Sequence, residues 1–451
     1  MQKLRLLVFL LAATLPALAY QPVTIAQLEQ TLAATLDAGH GKPERSDKDL
    51  DSTLARQLSG WELTERLSSV RLEKLQARLP GLKSRQALLV LADNSAFLDL
   101  PADEIPPHPV PEKETQTFLL NKTAAYIQET LPRIIDLVVT RDTANFDNLK
   151  VVTPGAAPPI GMEMGKTLTE TELGGFDMAG VLAVVESRPF HPTLHSSETL
   201  TYRNGAEKVA YIDGHEVLPP FKGAPKRAPF HGLNNWGVFG PLPEVVVNDI
   251  LAGEVKWGHW EQGKTGLLAV FRYFVPQEAS NYDLQYCCFT TGTWSSVAES
   301  EIGNVYENKA LWNVYETLLS YHGEISVDLD TGAILRLTIQ NDLPDDAPIY
   351  RGDLLVEYGP VKLGGKEFIL PAHSVTIARH NVPIVDQLPR CPEFHYCMPP
   401  TYYHPIDTVV SDTTYRAYHL FRAETHILAE DSTPPPTDSP APTQDAAPPP
   451  Q

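Results

Sequence analysis

The sequence predicts an α+β protein in which a helical N-terminal unit precedes a larger antiparallel β-meander domain, with a half-barrel as one form of that meander. Three observations support this fold class. Apolar residues recur every three or four positions before about residue 100, whereas they alternate with polar residues beyond about residue 165. Many of the 40 prolines concentrate in one connection and one tail, so they mark the boundaries of these regions.

The two ends of the chain carry distinct signals. Residues 1–19 combine Lys3 and Arg5, a short apolar run and an Ala17-Leu18-Ala19 cleavage pattern, which predicts a secretory signal peptide. No later segment has the roughly 18 uninterrupted apolar residues of a spanning helix, so no transmembrane segment is expected. Residues 431–451 hold eight prolines and predict a disordered tail. We therefore expect an exported protein, periplasmic or extracellular.

The helical unit is expected over residues 20–100. Its apolar stripes break at residues 39–43 and at Pro80-Gly81, and Ser84 is expected to cap the last helix. The stripes are Ile25, Leu28, Leu32 and Leu36; Leu54, Leu58 and Trp61; Leu63, Leu67, Val70, Leu72, Leu75 and Leu79; and Ala87, Leu88, Leu91 and Leu98.

Between the helical unit and the β-rich region, the sequence predicts a connection and one more helix. Five prolines over residues 101–111 predict a semi-rigid connection. Residues 112–164 are expected to hold a helix, over residues 112–130, and a linker.

Residues 165–430 predict the β-rich domain. Asn204-Gly205 is typical of a type I′ hairpin turn between two alternating segments. Asp330-Thr331-Gly332 and residues 359–366 predict two further hairpins, and residues 413–428 predict a last long strand. Short links without intervening helices favour an antiparallel sheet over βαβ units. Residues 310–321 are the exception, because their apolar spacing predicts a helix laid across a sheet face.

The net charge excludes one class of partner. The chain has 36 basic and 56 acidic side chains, hence a formal charge of −20. Binding to nucleic acid or to an anionic membrane surface depends on clusters of Lys and Arg, which the sequence lacks. We therefore expect no nucleic-acid partner.

No complete catalytic motif occurs in the sequence. Gly-x-Ser-x-Gly is absent, and His215-Glu216 lacks the second histidine of a metalloprotease helix. His191 with His195, and His373 with His380, have no third metal ligand nearby. We therefore predict no catalytic residue, no metal and no cofactor, and we expect that the protein is not an enzyme.

Four cysteines, Cys287, Cys288, Cys391 and Cys397, are disulfide candidates, because thiols of exported proteins usually pair. Cys391 and Cys397 are close enough in sequence for a local bridge, and the pairing is left open. Zinc is the competing interpretation, since His395 and His404 lie in the same segment. The spacing does not match a zinc finger, and an oxidising compartment favours the disulfide.

Four stretches of the chain resemble an uncharacterised family of secreted proteins from acidobacteria. They are residues 55–68 (ARQLSGWELTERLS), 86–101 (QALLVLADNSAFLDLP), 321–338 (YHGEISVDLDTGAILRLT) and 356–371 (VEYGPVKLGGKEFILP). The family implies no activity and supplies no site residues. The successive hairpins are also similar in topology to the half-barrel lipoprotein-carrier folds of the bacterial envelope, a likeness that implies fold but not function.

Aromatic residues provide the candidate ligand site. Five of them, in a segment that is also rich in glycine and proline, are expected to line a concave apolar site: Trp236, Trp257, Trp260, Tyr273 and Trp294. A β-domain core uses the same residues, so that interpretation stays open. We expect a non-catalytic exported binding or envelope-assembly protein whose apolar sheet face takes a hydrophobic small molecule or an envelope component. The alternatives are a secreted hydrolase with a site dispersed in sequence and a structural envelope adaptor.

Overall fold

The computed structural model describes residues 21–40, 47–130, 134, 136–152, 184–217, 232–235, 237–264, 266–289, 313–381, 384–385, 402–403 and 406–421. The predicted signal peptide and the predicted proline-rich tail lie outside these residues. The described residues up to Leu420 form one unit, to which all the helices and strands below belong.

Four helices, α1 (Ile25–His40), α2 (Asp47–Leu58), α3 (Ser69–Gln76) and α4 (Leu82–Asn94), form the helical unit, here residues 21–100. Their leucine stripes meet in one core, in which Leu28, Leu54, Leu58 and Leu88 are fully buried. Burial of one such side chain is worth about 1.5–3 kcal/mol. The helical periodicity therefore predicted this core, except at Leu98, which lies beyond the end of α4 and is exposed.

Two details of the helical prediction are wrong. Trp61 and Leu63 lie in a strand, β2 (Trp61–Leu63), which pairs in parallel with β1 (Gln21–Val23), because α2 ends at Leu58 and the carbonyl of Gly60 accepts the N–H of Gln21. Ser84 lies inside α4 and does not cap it. Gly81 occupies the N-cap position without a side chain, and the missing acceptor comes from Asp51 of α2.

The predicted helix over residues 112–130 is confirmed as α5 (Lys113–Thr130). A further helix, α6 (Pro241–Ala252), was missed. Its signals were present in the sequence, since a proline stands at the first helical position and Leu242, Val246 and Ile250 recur at helical spacing. In the part of the chain that the structure describes, no helix has the length and apolar character needed to cross a membrane.

The fold class is confirmed, because the strands beyond α5 build a large antiparallel sheet. Among the described residues, eleven strands pair in the order β6-β5-β4-β3-β18-β15-β14-β13-β12-β9-β8, and the sheet that they form is not closed into a barrel. They are β3 (Leu137–Val152), β4 (Val184–Arg203), β5 (Ala206–Ile212), β6 (His215–Glu216), β8 (Glu254–Gln262), β9 (Leu267–Val275), β12 (Tyr321–Asp328), β13 (Ile334–Asn341), β14 (Ile349–Leu363), β15 (Lys366–Asn381) and β18 (Ile406–Leu420).

Shorter strands lie beside the large sheet. β7 (Gly232–Leu233), β10 (Asp283–Phe289) and β11 (Asn313–Leu318) form a three-stranded sheet. β16 (Ile384–Val385) pairs with β17 (Tyr402–Tyr403).

The turn chemistry matches the prediction at the first hairpin. Asn204 and Gly205 have φ values of 51° and 77° and join β4 to β5, which is the type I′ geometry. The hairpin predicted around Asp330-Thr331-Gly332 is confirmed as β12 and β13. In the third hairpin the strands are longer than expected, and the turn is confined to Gly364 and Gly365 at positive φ.

Two assignments in the β-rich region are wrong. The helix expected over residues 310–321 is strand β11, in which exposure alternates from residue to residue, because pairing with β10 outweighs the helical spacing of its apolar residues. Part of the expected linker is strand β3, which lies between β4 and β18 in the large sheet. Its start, Leu137-Val138-Val139, carried a strand signal that the linker assignment overlooked.

The large sheet has helices on both faces. On one face, the main core includes Phe271, Tyr273 and Val356 from the sheet, Ile127 from α5 and Val246 from α6. On the other face, Ala96 and Phe97, which follow α4, pack against a smaller apolar group of strands β14, β15 and β18. The helical unit therefore covers the second face.

Candidate functional site

The sheet face beneath the helical unit changes its chemistry along the strands. Its centre is apolar and consists of Leu355, Val375, Ile377 and Val410, packed with Ala96. Side chains two positions apart in a strand lie on the same face. The face therefore continues to Arg351 and Arg379 at one end, and to Glu357, His373 and Asp412 at the other end.

The arginine end forms a crevice between the helical unit and the sheet. It encloses about 310 Å³, at the lower end of the size range of small-molecule pockets. Helices α2 and α4, strand β2 and five strands of the large sheet supply its wall. The lining residues are Leu58, Ser59, Trp61, Glu62, Ala87, Val90, Leu91, Asn94, Asn148, Phe190, Arg351, Arg379 and Thr408.

The crevice carries more positive than negative charge. Arg351 and Arg379 stand directly opposite each other on neighbouring strands, an arrangement in which like charges repel. Arg351 is tied down, because it pairs with Asp353 and its guanidinium lies 5.5 Å from the centroid of the Phe97 ring. Arg379 is exposed and has no ion-pair partner among the described residues. With Glu62 as its single carboxylate, this lining favours an anion.

The opposite end of the face holds a carboxylate–imidazole cluster, in which Asp412 is buried and His373 and Glu357 are half-buried. His373 Nε2 lies 2.6 Å from Asp412 Oδ2, and His373 Nδ1 lies 3.3 Å from Glu357 Oε2. Burial lowers the pKa of His373, but these two carboxylates raise it more, so its pKa lies well above the ordinary value. Asp93 of α4 completes the cluster from the helical side and is 3% exposed.

This cluster does not have the arrangement of a hydrolytic triad. Each ring nitrogen of His373 faces a carboxylate, so neither is free to take a proton from a nucleophile. The adjacent hydroxyl, Ser374, points to the opposite face, where it lies 3.4 Å from the Tyr415 hydroxyl. Among the described residues, the cluster therefore gives no support to the hydrolase alternative.

Ionic contacts hold the helical unit on the sheet. Arg66 forms a buried ion pair of 2.7 Å with Glu261 of β8, and Arg336 of β13 donates to the carbonyl of Ala96. Arg272 with Asp99, and Lys264 with Glu73, add more exposed pairs. These contacts hold the helical unit, which forms one wall of the crevice, in place on the sheet.

The aromatic residues predicted as ligand-binding are placed as follows. Trp257 and Trp260 are half-buried on β8 with ring centroids 4.8 Å apart, and Trp260 Nε1 donates to the carbonyl of Pro109 at 2.8 Å. Tyr273 is buried, and its hydroxyl donates to the carbonyl of Thr338 at 2.6 Å. Trp236 and Trp294 lie outside the described residues. None of the three described aromatics lines the crevice.

Of the four cysteines, the structure describes the side chain of Cys287 alone, which is fully buried in β10. Cys391 and Cys397 lie outside the described residues, as do His395 and His404 of the competing zinc interpretation. The disulfide and its pairing stay predictions.

Sequence reasoning missed the residues that the fold brings together here. Arg351, Arg379 and Asp93 belong to no motif, and His373 was set aside because no third ligand lies near it in sequence. The available signal was strand geometry. Every second residue of a strand lies on the same face, so Arg351 shares a face with Glu357, and His373 shares a face with Arg379.

Comparisons with known proteins add no identification. No family model, no curated protein and no solved structure matches the chain.

Proposed function

We propose that the protein is a non-catalytic, exported binding protein whose ligand is a small amphipathic anion. The ligand has an apolar body and a carboxylate or phosphate head. Export follows from the signal peptide predicted over residues 1–19. A purely apolar ligand on the sheet face that carries the main core is less favoured, because helices α5 and α6 already pack on that face.

The observation that carries this proposal is the pair Arg351 and Arg379 beside aromatic walls. Guanidinium groups bind carboxylate and phosphate through two parallel hydrogen bonds. Trp61 and Phe190 line the same crevice and give an apolar body something to pack against. An anionic head would relieve the repulsion between the two opposed arginines.

The experiment is a titration of the purified protein with decanoate, decyl phosphate and decanol, followed by Trp fluorescence and calorimetry. We expect both anions to bind and decanol to bind at least tenfold more weakly, since a charged hydrogen bond is worth about 1.5–3 kcal/mol and 1.4 kcal/mol is a factor of ten. Arg379→Gln is expected to lower the affinity for both anions about tenfold and to leave the affinity for decanol unchanged.

Lys362→Gln is the matched control, because Lys362 is an exposed cation on the same strand as Arg351, away from the crevice. It should bind like the unmodified protein. Equal affinity for decanol and decanoate would show that the arginines do not recognise the head. Absence of binding of all three probes would overturn the proposed function.

A further inference from the structure

The carboxylate–imidazole cluster gathers three potential metal ligands from three separate elements. Asp93 comes from α4, His373 from β15 and Asp412 from β18, and one donor atom of each lies within 4.8 Å of the others. Three donors of one tetrahedral ion at 2.0–2.2 Å lie roughly 3.3–3.6 Å apart. Side-chain shifts of about 1 Å therefore bring all three onto one ion.

One of these side chains has a carboxylate oxygen without a hydrogen-bond partner. Asp93 Oδ2 is buried without a hydrogen-bond partner, on a side chain that is 3% exposed. Asp412, at 7% exposure, is its carboxylate neighbour in the cluster. A buried carboxylate oxygen needs a proton or a cation.

The surroundings of His373 match those of a metal-bound imidazole. Histidines that bind a metal through one ring nitrogen usually donate the other N–H to a carboxylate, which fixes the ring. Glu357 occupies this position, 3.3 Å from Nδ1, and leaves Nε2 facing Asp412. One imidazole nitrogen with two carboxylate oxygens is a donor set for Zn²⁺.

We propose that Asp93, His373 and Asp412 bind one divalent transition-metal ion, with Zn²⁺ as the best match, and that the ion ties helix α4 to the sheet. Binding displaces two protons, one between His373 Nε2 and Asp412 and one on Asp93, and both leave as H⁺, while Nδ1–H stays hydrogen-bonded to Glu357. The cluster does not line the crevice, so the ion has a structural role and the inference does not rest on the proposed function.

The test uses the full-length protein, stripped with EDTA and dialysed against Zn²⁺, with bound metal counted by mass spectrometry. We expect one zinc ion per chain at this cluster, a higher Tm with zinc, and a Co²⁺ spectrum typical of nitrogen and oxygen ligands. Asp93→Asn and His373→Gln are each expected to lower zinc affinity at least 100-fold.

Asp93→Asn also separates loss of the site from loss of the fold. Without metal it should be at least as stable as the unmodified protein, since it removes an unpartnered buried carboxyl, whereas zinc should no longer raise its Tm. His322→Gln is the matched control, because His322 and Asp342 form an exposed pair of 3.1 Å on the same sheet. His395→Gln tests the competing zinc site in the segment that contains Cys391 and Cys397, and it should leave the bound zinc unchanged. If the unmodified protein binds no Zn²⁺, or if the Asp93 and His373 variants retain it, the proposal is wrong.

Discussion

At the scale of single residues, burial changes the chemistry of several carboxyl groups. Glu207 of β5 is 7% exposed, and its Oε1 has no hydrogen-bond partner. Burial raises its pKa to about 7, although Arg141 and the backbone N–H groups of Phe239 and Gly237 act in the opposite direction. The folded protein therefore holds a proton on Glu207 more tightly than the unfolded chain does.

This shift gives a pH dependence with a definite sign. The pKa of Glu207 rises on folding from 4.5 to about 7, so its contribution to stability is complete below pH 4.5 and is lost as the pH rises to about 7. We therefore expect the free energy of unfolding of Glu207→Gln, measured relative to the unmodified protein, to be higher at pH 8 than at pH 5. The difference should be at most roughly 3 kcal/mol. Urea unfolding at both pH values measures it. Glu216→Gln, an exposed change on β6, is the control, and an equal effect of Glu207→Gln at both pH values would contradict the expectation.

At the scale of elements, α4 begins with a cap that comes from another helix. Asp51 Oδ1 accepts the backbone N–H of Ser84 at 2.8 Å, and Asp51 Oδ2 accepts that of Lys83 at 3.3 Å. Gly81 makes room for this contact, because a Cβ at this position would lie 2.4 Å from Asp51 Cγ. Local rules predict caps from the residues beside the helix, which is why Ser84 was chosen and Asp51 was not.

Removal of this cap is expected to destabilise the helical unit. Asp51→Ala leaves two N–H groups and the buried Ser84 hydroxyl without their acceptor and should cost about 2 kcal/mol of unfolding free energy. Asp37→Ala, the same change at an exposed position of α1, should stay within about 0.5 kcal/mol. Urea unfolding of both variants measures the difference. Similar costs in the two variants would show that Asp51 does not cap α4.

At the scale of the whole described unit, the helices and the sheet are joined by charge as well as by apolar packing. Arg66 and Glu261 are 5% and 14% exposed at their side chains. Burial raises the pKa of Glu261, but the charge of Arg66 and the His259 ring, whose Nε2 lies 3.8 Å from Glu261 Oε2, lower it more, to about 2. Glu261 is therefore ionised and depends on Arg66.

Replacement of Arg66 should lower the free energy of unfolding more than replacement of an exposed cation that also joins the helical unit to the sheet region. Arg66→Met leaves a buried carboxylate unpaired and is expected to cost about 3–5 kcal/mol. Lys264→Met, which breaks the exposed pair with Glu73, should cost less than about 1 kcal/mol. Urea unfolding gives the two costs, and hydrogen exchange in α1–α4 should accelerate only in the Arg66 variant. Equal costs would mean that the buried pair does not hold the helical unit.

The sequence by itself determined the elements whose signals are local. The leucine stripes gave the helical core, and Asn204-Gly205 gave a hairpin turn, because helical spacing and positive φ are properties of neighbouring residues. Only the tertiary structure decided that residues 313–318 form a strand, that Arg351 stands opposite Arg379, and that Asp93 meets His373 and Asp412. Strand register and helix docking depend on packing between segments far apart in the chain, and no local pattern records which side chains that packing brings together.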